Sequence, residues 1–305
     1  MSRIHEALKK AEQERSANPM IDVPLAESPT TAVATPAEQV SDPDSILTST
    51  PTTSPLATEY LRFEDLRARC TTVRWQLDPN VDVFFDPAGT APGAEQFRTL
   101  RSRLYQLRGE QHLKTILITS PIPAEGKTFV TTNLVQAMVR QPDRCALVID
   151  ADMRRSRLHT VWGTPVSPGL SDYLNGSADE IAILQHNPAA GNLCLIPSGS
   201  SVNNPSELLL NGRMKGLIDR LAPIFDWIII DSPPCLPVHD ANVLADVCDG
   251  VLLVVRAAST PLETAQRACQ ELQAKKLIGV VLNGAEQNAH YGSYNYYDSY
   301  HATEK

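Results

Sequence analysis

The sequence predicts an α/β fold: a mainly parallel sheet with helices on both faces. Three observations carry that expectation. Short, continuous apolar runs alternate with helical stretches between about 88 and 288. Continuous rather than alternating apolar runs are what strands covered on both faces look like. One run leads through a turn-rich loop into Gly126-Lys127-Thr128 and a helical stretch, and two others end on Asp150 and Asp231. The carboxyl ends of parallel strands form the ligand crevice of such sheets.

Composition narrows the class. The chain has 305 residues, a net charge of −8, 42% hydrophobic and 20% charged residues, ordinary values for a globular protein. Its longest apolar runs, such as 227–230 and 251–255, fall far short of the roughly 20 residues that span a bilayer. The first 15 residues lack the apolar block of a signal peptide, so a cytoplasmic location is expected. Six cysteines lie scattered with no C-x-x-C pair, and seven histidines show no H-x-x-H spacing. Neither a zinc site nor a disulfide framework is expected. No basic stripe offers itself to nucleic acid.

The elements follow in order. Residues 1–16 suit a short helix, with Ser2 as cap and Ile4, Leu8 and Ala11 on one face; a docking helix and a frayed terminus are both open readings. Residues 17–58 contain seven Pro and no Lys or Arg, and 20 of these 42 residues are Ser, Thr or Pro. Such a segment cannot bury enough apolar surface to offset its ordering entropy, which predicts a disordered acidic linker. Residues 59–87 are a mixed preface, with a helix-like YLRFEDLRARC and extended VRWQL and VDVFF pieces. A helix is expected over 94–107. Strands are expected at 115–119, 145–150, 193–197, 227–231, 251–255 and 277–283, within one core domain over 88–288. Residues 289–305 are expected to form a flexible tail. Five of the eight tyrosines crowd into it: Tyr291, Tyr294, Tyr296, Tyr297 and Tyr300. An even spread would put fewer than one there, and the interleaved Gly292, Ser293 and Asn295 disfavour a helix.

The chemistry concentrates at the strand ends. A strand, a loop and Gly126-Lys127-Thr128 opening a helix are the context of a phosphate-binding loop. Backbone N–H groups of Ala124, Glu125, Gly126, Lys127 and Thr128 can form an anion nest. The Lys127 ammonium then reaches the β/γ-phosphates, and the Thr128 hydroxyl suits Mg²⁺. The match to G-x-x-x-x-G-K-[ST] is incomplete, because Pro121 stands at the first glycine and Pro123 lacks an N–H. Asp150 and Asp152 follow one strand and Asp231 ends another, supplying hard oxygen ligands where a metal–triphosphate would sit.

These motifs resemble those of the bacterial tyrosine kinases. IDADMRRSRLH is similar to their D-x-D-x-R motif, PAEGKT to their first phosphate-loop motif and IIIDSPP to their second acidic one. GAEQFRTLRSRLY carries their E-x-x-R-x-x-R oligomerisation pattern as Glu95, Arg98 and Arg101, and the tail resembles their tyrosine cluster. The resemblance covers about 90–300. It implies a P-loop NTPase fold related to MinD/ParA ATPases, whose signature lysine early in the loop is Ile122 here. An ATPase switch without kinase activity is the competing reading.

The resemblance implies further roles. ATP and Mg²⁺ are the cofactors, with Lys127, Asp150, Asp152 and Asp231 catalytic. Ala124 to Phe129 bind the nucleotide, and Thr128, Asp150 and Asp231 organise the metal. Asp152 accepts the tyrosine proton. For Asn283 an adenine contact and a strand-end turn are both open; for Arg154 support of the acidic site and a surface ion pair are both open. The five tail tyrosines are the phosphate acceptors, entering a neighbour's site in a ring-like homo-oligomer. The resemblance also implies a role in capsule or exopolysaccharide synthesis and export. A membrane chain-length regulator would be the activating partner and a tyrosine phosphatase the counter-enzyme, with the chain at the inner face of the cell membrane through that partner.

Overall fold

The computed structural model describes residues 62–85, 91 and 93–285. The expected N-terminal helix and linker, and the tail with its five tyrosines, lie outside the described residues. Eight strands form one sheet in the order β1-β4-β5-β3-β6-β2-β7-β8. They are β1 (Thr71–Thr72), β2 (Thr115–Thr119), β3 (Ala146–Asp150), β4 (Gln185–His186), β5 (Leu193–Ile196), β6 (Trp227–Asp231), β7 (Gly250–Arg256) and β8 (Leu277–Asn283). Every pairing is parallel except β4 with β5. Parallel neighbours require crossovers, and helices supply them. Nine are described: α1 (Phe63–Arg69), α2 (Ala94–Glu110), α3 (Lys127–Val139), α4 (Leu158–Trp162), α5 (Leu170–Asn175), α6 (Pro205–Leu210), α7 (Arg213–Leu221), α8 (Asp240–Ala245) and α9 (Leu262–Gln273).

The central strands are buried along their whole length, which is why they are continuously apolar. Their side chains alternate between two cores. Leu117, Leu147, Ile149, Ile228 and Ile230 face α1 and α5–α9. Ile116, Ile118, Val148 and Ile229 face α2, α3 and α4. Helices therefore cover both faces, as the pattern predicts.

The preface belongs to this packing. Phe63 and Leu66 of α1 join the first core, and Trp75 and Phe84 join the second, where Trp75 meets Trp162 edge-on at 4.9 Å. The buried Asn133 of α3 ties the preface to the phosphate-loop helix: its Oδ1 accepts the Val83 N–H (2.9 Å) and its Nδ2 donates to Val81 O (2.8 Å). The expected extended piece at 81–85 is instead a pair of turns. Asp78 and Asp82 carboxylates accept the N–H groups of Asn80 and Phe84 (2.9 and 2.8 Å), and such side-chain turns outcompete strand pairing. Only Thr71–Thr72 of this region pairs in the sheet. The helix expected over 94–107 runs one turn further, to Glu110.

Candidate nucleotide and phosphotransfer site

The sheet order brings β3, β6 and β2 side by side. In register, Asp150 pairs with Asp231 and Ile118 with Asp231. Adjacent strands lie about 4.8 Å apart, so two carboxylates and the start of the phosphate loop share one rim. Asp231 follows Asp150 by 81 residues in sequence, and the three segments become neighbours only through the crossovers.

The loop from Ser120 to Gly126 delivers α3 into this rim. Ala124 and Gly126 have φ of +68° and +93°. This is the left-handed region, cheap for glycine and costing other residues roughly 1–2 kcal/mol. The first N–H groups of α3, from Lys127, Thr128 and Phe129, have no carbonyl within the helix. They converge where an anion would bind. Thr128 Oγ1 donates to Asp231 Oδ2 (2.7 Å), and Thr131 Oγ1, one turn on, donates to Asp231 Oδ1 (3.2 Å). Lys127 is nearly buried, and its charge offsets part of the rise that burial imposes on the Asp231 carboxyl. Asp150 accepts the Ser156 hydroxyl (2.7 Å) and the Asp152 N–H (3.1 Å). Asp152 in turn accepts the Arg155 N–H through Oδ1 (3.0 Å).

Burial pushes the Asp150 carboxyl up, and the neighbouring Asp231 and Asp152 add repulsion that the Ser156 bond only partly offsets. Burial raises Asp231 too, against the pull of Lys127 and Thr128. A pair of buried carboxylates beside a threonine hydroxyl is a set of hard oxygen donors short of positive charge. That donor set fits a divalent cation carrying a polyphosphate.

Four predicted residues do something the sequence did not announce. The Glu125 side chain turns away from the nest. It accepts the Arg256 N–H and the Thr260 hydroxyl (2.7 Å), tying the loop to the β7–α9 connection. Asn283 stands at the end of β8, and its Nδ2 donates to Glu125 O (2.9 Å). Arg154 pairs with the buried Asp240 (2.7 and 3.0 Å) rather than with the acidic cluster. Arg101 reaches inward to Ala137 O (2.8 Å), while Glu95 and Arg98 pair at 3.0 Å on the exposed side of α2. The ring of Phe129 packs against Phe97, leaving its backbone N–H as the part near the nest.

Sequence reasoning missed Thr131, Ser156, Thr260, Ser206 and Asp240. Thr131 was discoverable, since 128 and 131 share a helix face. Asp240 was not, because its partner is 86 residues away.

No family model matches the chain. Curated relatives do. Tyrosine-protein kinase YwqD of Bacillus subtilis is 34% identical over 225 residues, covering 73% of this chain and 92% of that protein. Tyrosine-protein kinase etk of Escherichia coli is 36% identical over 203 residues, covering 67% of this chain and 27% of that protein. This chain thus spans nearly the whole of YwqD and about a quarter of etk. Among solved structures, the kinase domain of Escherichia coli ETK superposes with a TM-score of 0.65 at 32% identity, over 71% of this chain and 84% of that one. Among the described residues no helix is long and apolar enough to cross a membrane. The shared sheet, the phosphate loop, the acidic strand ends and these relatives agree: the chain belongs to the bacterial tyrosine kinase family.

Proposed function

We propose that the chain is an ATP-dependent protein tyrosine kinase whose acceptors are the tyrosines of its own C-terminal tail, phosphorylated in a neighbouring copy. The observation that carries this reading is the convergence of the phosphate loop with Asp150, Asp152 and Asp231 on adjacent strand ends. Phosphoryl transfer needs positioning and charge neutralisation more than covalent chemistry. The N–H groups of the loop and the Lys127 ammonium bind the phosphates. Thr128, Asp150 and Asp231 would hold Mg²⁺, which when bound neutralises charge on the transferring group. Asp152, nearly buried beside Asp150, has Oδ1 engaged by the Arg155 N–H, and its other oxygen accepts the tyrosine proton. A phenol with a pKa near 10 needs such an acceptor at neutral pH.

In line with the family resemblance, this activity would serve capsule or exopolysaccharide synthesis. Its partners are further copies of the chain, a membrane chain-length regulator that activates it at the inner face of the membrane, and a tyrosine phosphatase. Tyr291, Tyr294, Tyr296, Tyr297 and Tyr300 are the acceptors. Glu95, Arg98 and Arg101 serve the contact between copies. Each phosphate adds about −1.5 to −2 charges, so a phosphorylated ring repels itself and loosens.

Intact-mass measurement after incubation with ATP and Mg²⁺ tests the reading, with Asp152→Asn as control. Phosphate additions on the tail in wild type, and their loss in the variant, are expected. Nucleotide hydrolysis without added mass would instead identify an ATPase switch.

A further inference from the structure

We propose that Asp240 and Ser206, which lie outside every recognised motif, are positioning residues for phosphotransfer, acting through Arg154 on the loop that carries Asp152. The proposal rests on the kinase reading above. Arg154 stands two residues after Asp152, in the turn that leaves β3. Its guanidinium meets Asp240 side-on, Nε to Oδ2 at 2.7 Å and Nη2 to Oδ1 at 3.0 Å. Nη2 also donates to Ser206 Oγ (2.8 Å), and Ser206 Oγ donates to Asp240 Oδ1 (2.5 Å). The three side chains close a ring of hydrogen bonds joining the first turns of α6 and α8 to the β3–α4 connection.

The geometry is demanding for a physical reason. The Asp240 side chain has no solvent exposure, whereas about a third of the Arg154 side chain is exposed. A buried carboxylate without its partner is strongly destabilising, so Arg154 is held where Asp240 is. A planar two-point pair also fixes direction, which a single contact does not. On the other side of Asp152, its N–H is bound to Asp150 Oδ1, and its own Oδ1 holds the Arg155 N–H. The chain from Asp150 to Arg155 is thereby pinned at both ends, with Asp152 between them. A misplacement of about 1 Å in such a group can cost on the order of a hundredfold in rate. None of the ring's hydrogen bonds or ion pairs reaches the phosphate loop, so nucleotide affinity should not depend on it.

The test uses the full chain and three readouts: ATP–Mg²⁺ affinity, phosphate transfer to a synthetic peptide of residues 289–305, and melting temperature. Asp240→Asn risks misfolding, so Arg154→Lys and Ser206→Ala carry the test. Lysine keeps the charge opposite Asp240 but loses the second contact. Both variants are expected to bind nucleotide within about twofold of wild type and to melt close to it. Their kcat for tyrosine transfer should fall about tenfold or more, with the peptide KM little changed. Added to Asp152→Asn, neither should cause further loss, because both act through Asp152. Unchanged kcat in both variants, or losses that multiply with Asp152→Asn, would overturn the positioning role while leaving the kinase reading intact. A wild-type protein that hydrolyses ATP but transfers nothing to tyrosine would overturn both.

Discussion

Gly126 concentrates the constraints on the phosphate loop. Its φ of +93° suits glycine, and a Cβ there would come within 2.0 Å of Asn283 Nδ2. Gly126→Ala must therefore push Asn283 off the Glu125 carbonyl and also strain the backbone. ATP–Mg²⁺ affinity, read by titration calorimetry, is expected to fall at least tenfold. The double variant Gly126→Ala/Asn283→Ala removes the clash but keeps the strain of roughly 1–2 kcal/mol, so it should recover only part of the loss. Full affinity in the single variant would show that loop geometry does not hold the phosphates. Residues such as Lys127, Thr128, Asp150 and Asp231 could be gathered from sequence because each marks a strand end or a helix start. The partners of Glu125 and Asn283 could not: those bonds join loops 131 to 158 residues apart, and no local pattern encodes them.

Among the elements, α5 shows how a short helix is held by its start. Asp172 Oδ2 accepts the Gly169 N–H (2.8 Å), the Ser200 N–H (3.1 Å) and the Ser167 hydroxyl (3.1 Å), locking α5 to the loop after β5. Burial raises the Asp172 pKa, but the bonds from Ser200, Gly169 and Ser167 outweigh it and leave the carboxyl below its ordinary value. The folded state thus binds the proton less readily than the unfolded one. The stabilisation is complete above the ordinary carboxylate range and disappears as pH falls through the depressed folded value. Asp172→Asn should cost about 1–3 kcal/mol in denaturant unfolding at neutral pH. The gap between variant and wild type should shrink toward pH ~3; a gap constant with pH would remove the carboxylate from the account. The buried strands were legible element by element, since runs of three to five consecutive apolar residues bounded by turn signals leave a clear signal. The two-residue β4 and its antiparallel pairing with β5 were not, because Gln185–His186 has no period to read. The turns at 81–85 were hidden by aspartates whose hydrogen bonds override an apolar run.

For the whole molecule, the sheet order decides the electrostatics. Alternation of strands and helices made a parallel α/β sheet legible, but not that β6 would lie between β3 and β2; adjacency comes from how crossovers pack, not from any one segment. That order sets Asp150 beside Asp231 in a site with little solvent. Both carboxyls are raised, by burial first and then by negative neighbours. A raised folded pKa means stability that is complete below the ordinary carboxylate value and lost as pH climbs through the folded one. The ligand-free protein should therefore lose stability from this pair as pH rises from about 4 toward neutrality. Asp150→Asn removes one of the two charges at nearly constant volume. Relative to wild type, the variant should gain in melting temperature as pH rises over that range, by several degrees at about 2–4 °C per kcal/mol for a domain of this size. ATP with Mg²⁺ should protect wild type more strongly as pH rises and the pair ionises, because the gathering negative charge favours a cation, and should protect Asp150→Asn less. A wild-type-to-variant difference that does not move with pH would mean that the pair is not strained by its burial. The rim would then have to be read as a polar junction of strands rather than as a site poised for a charged ligand.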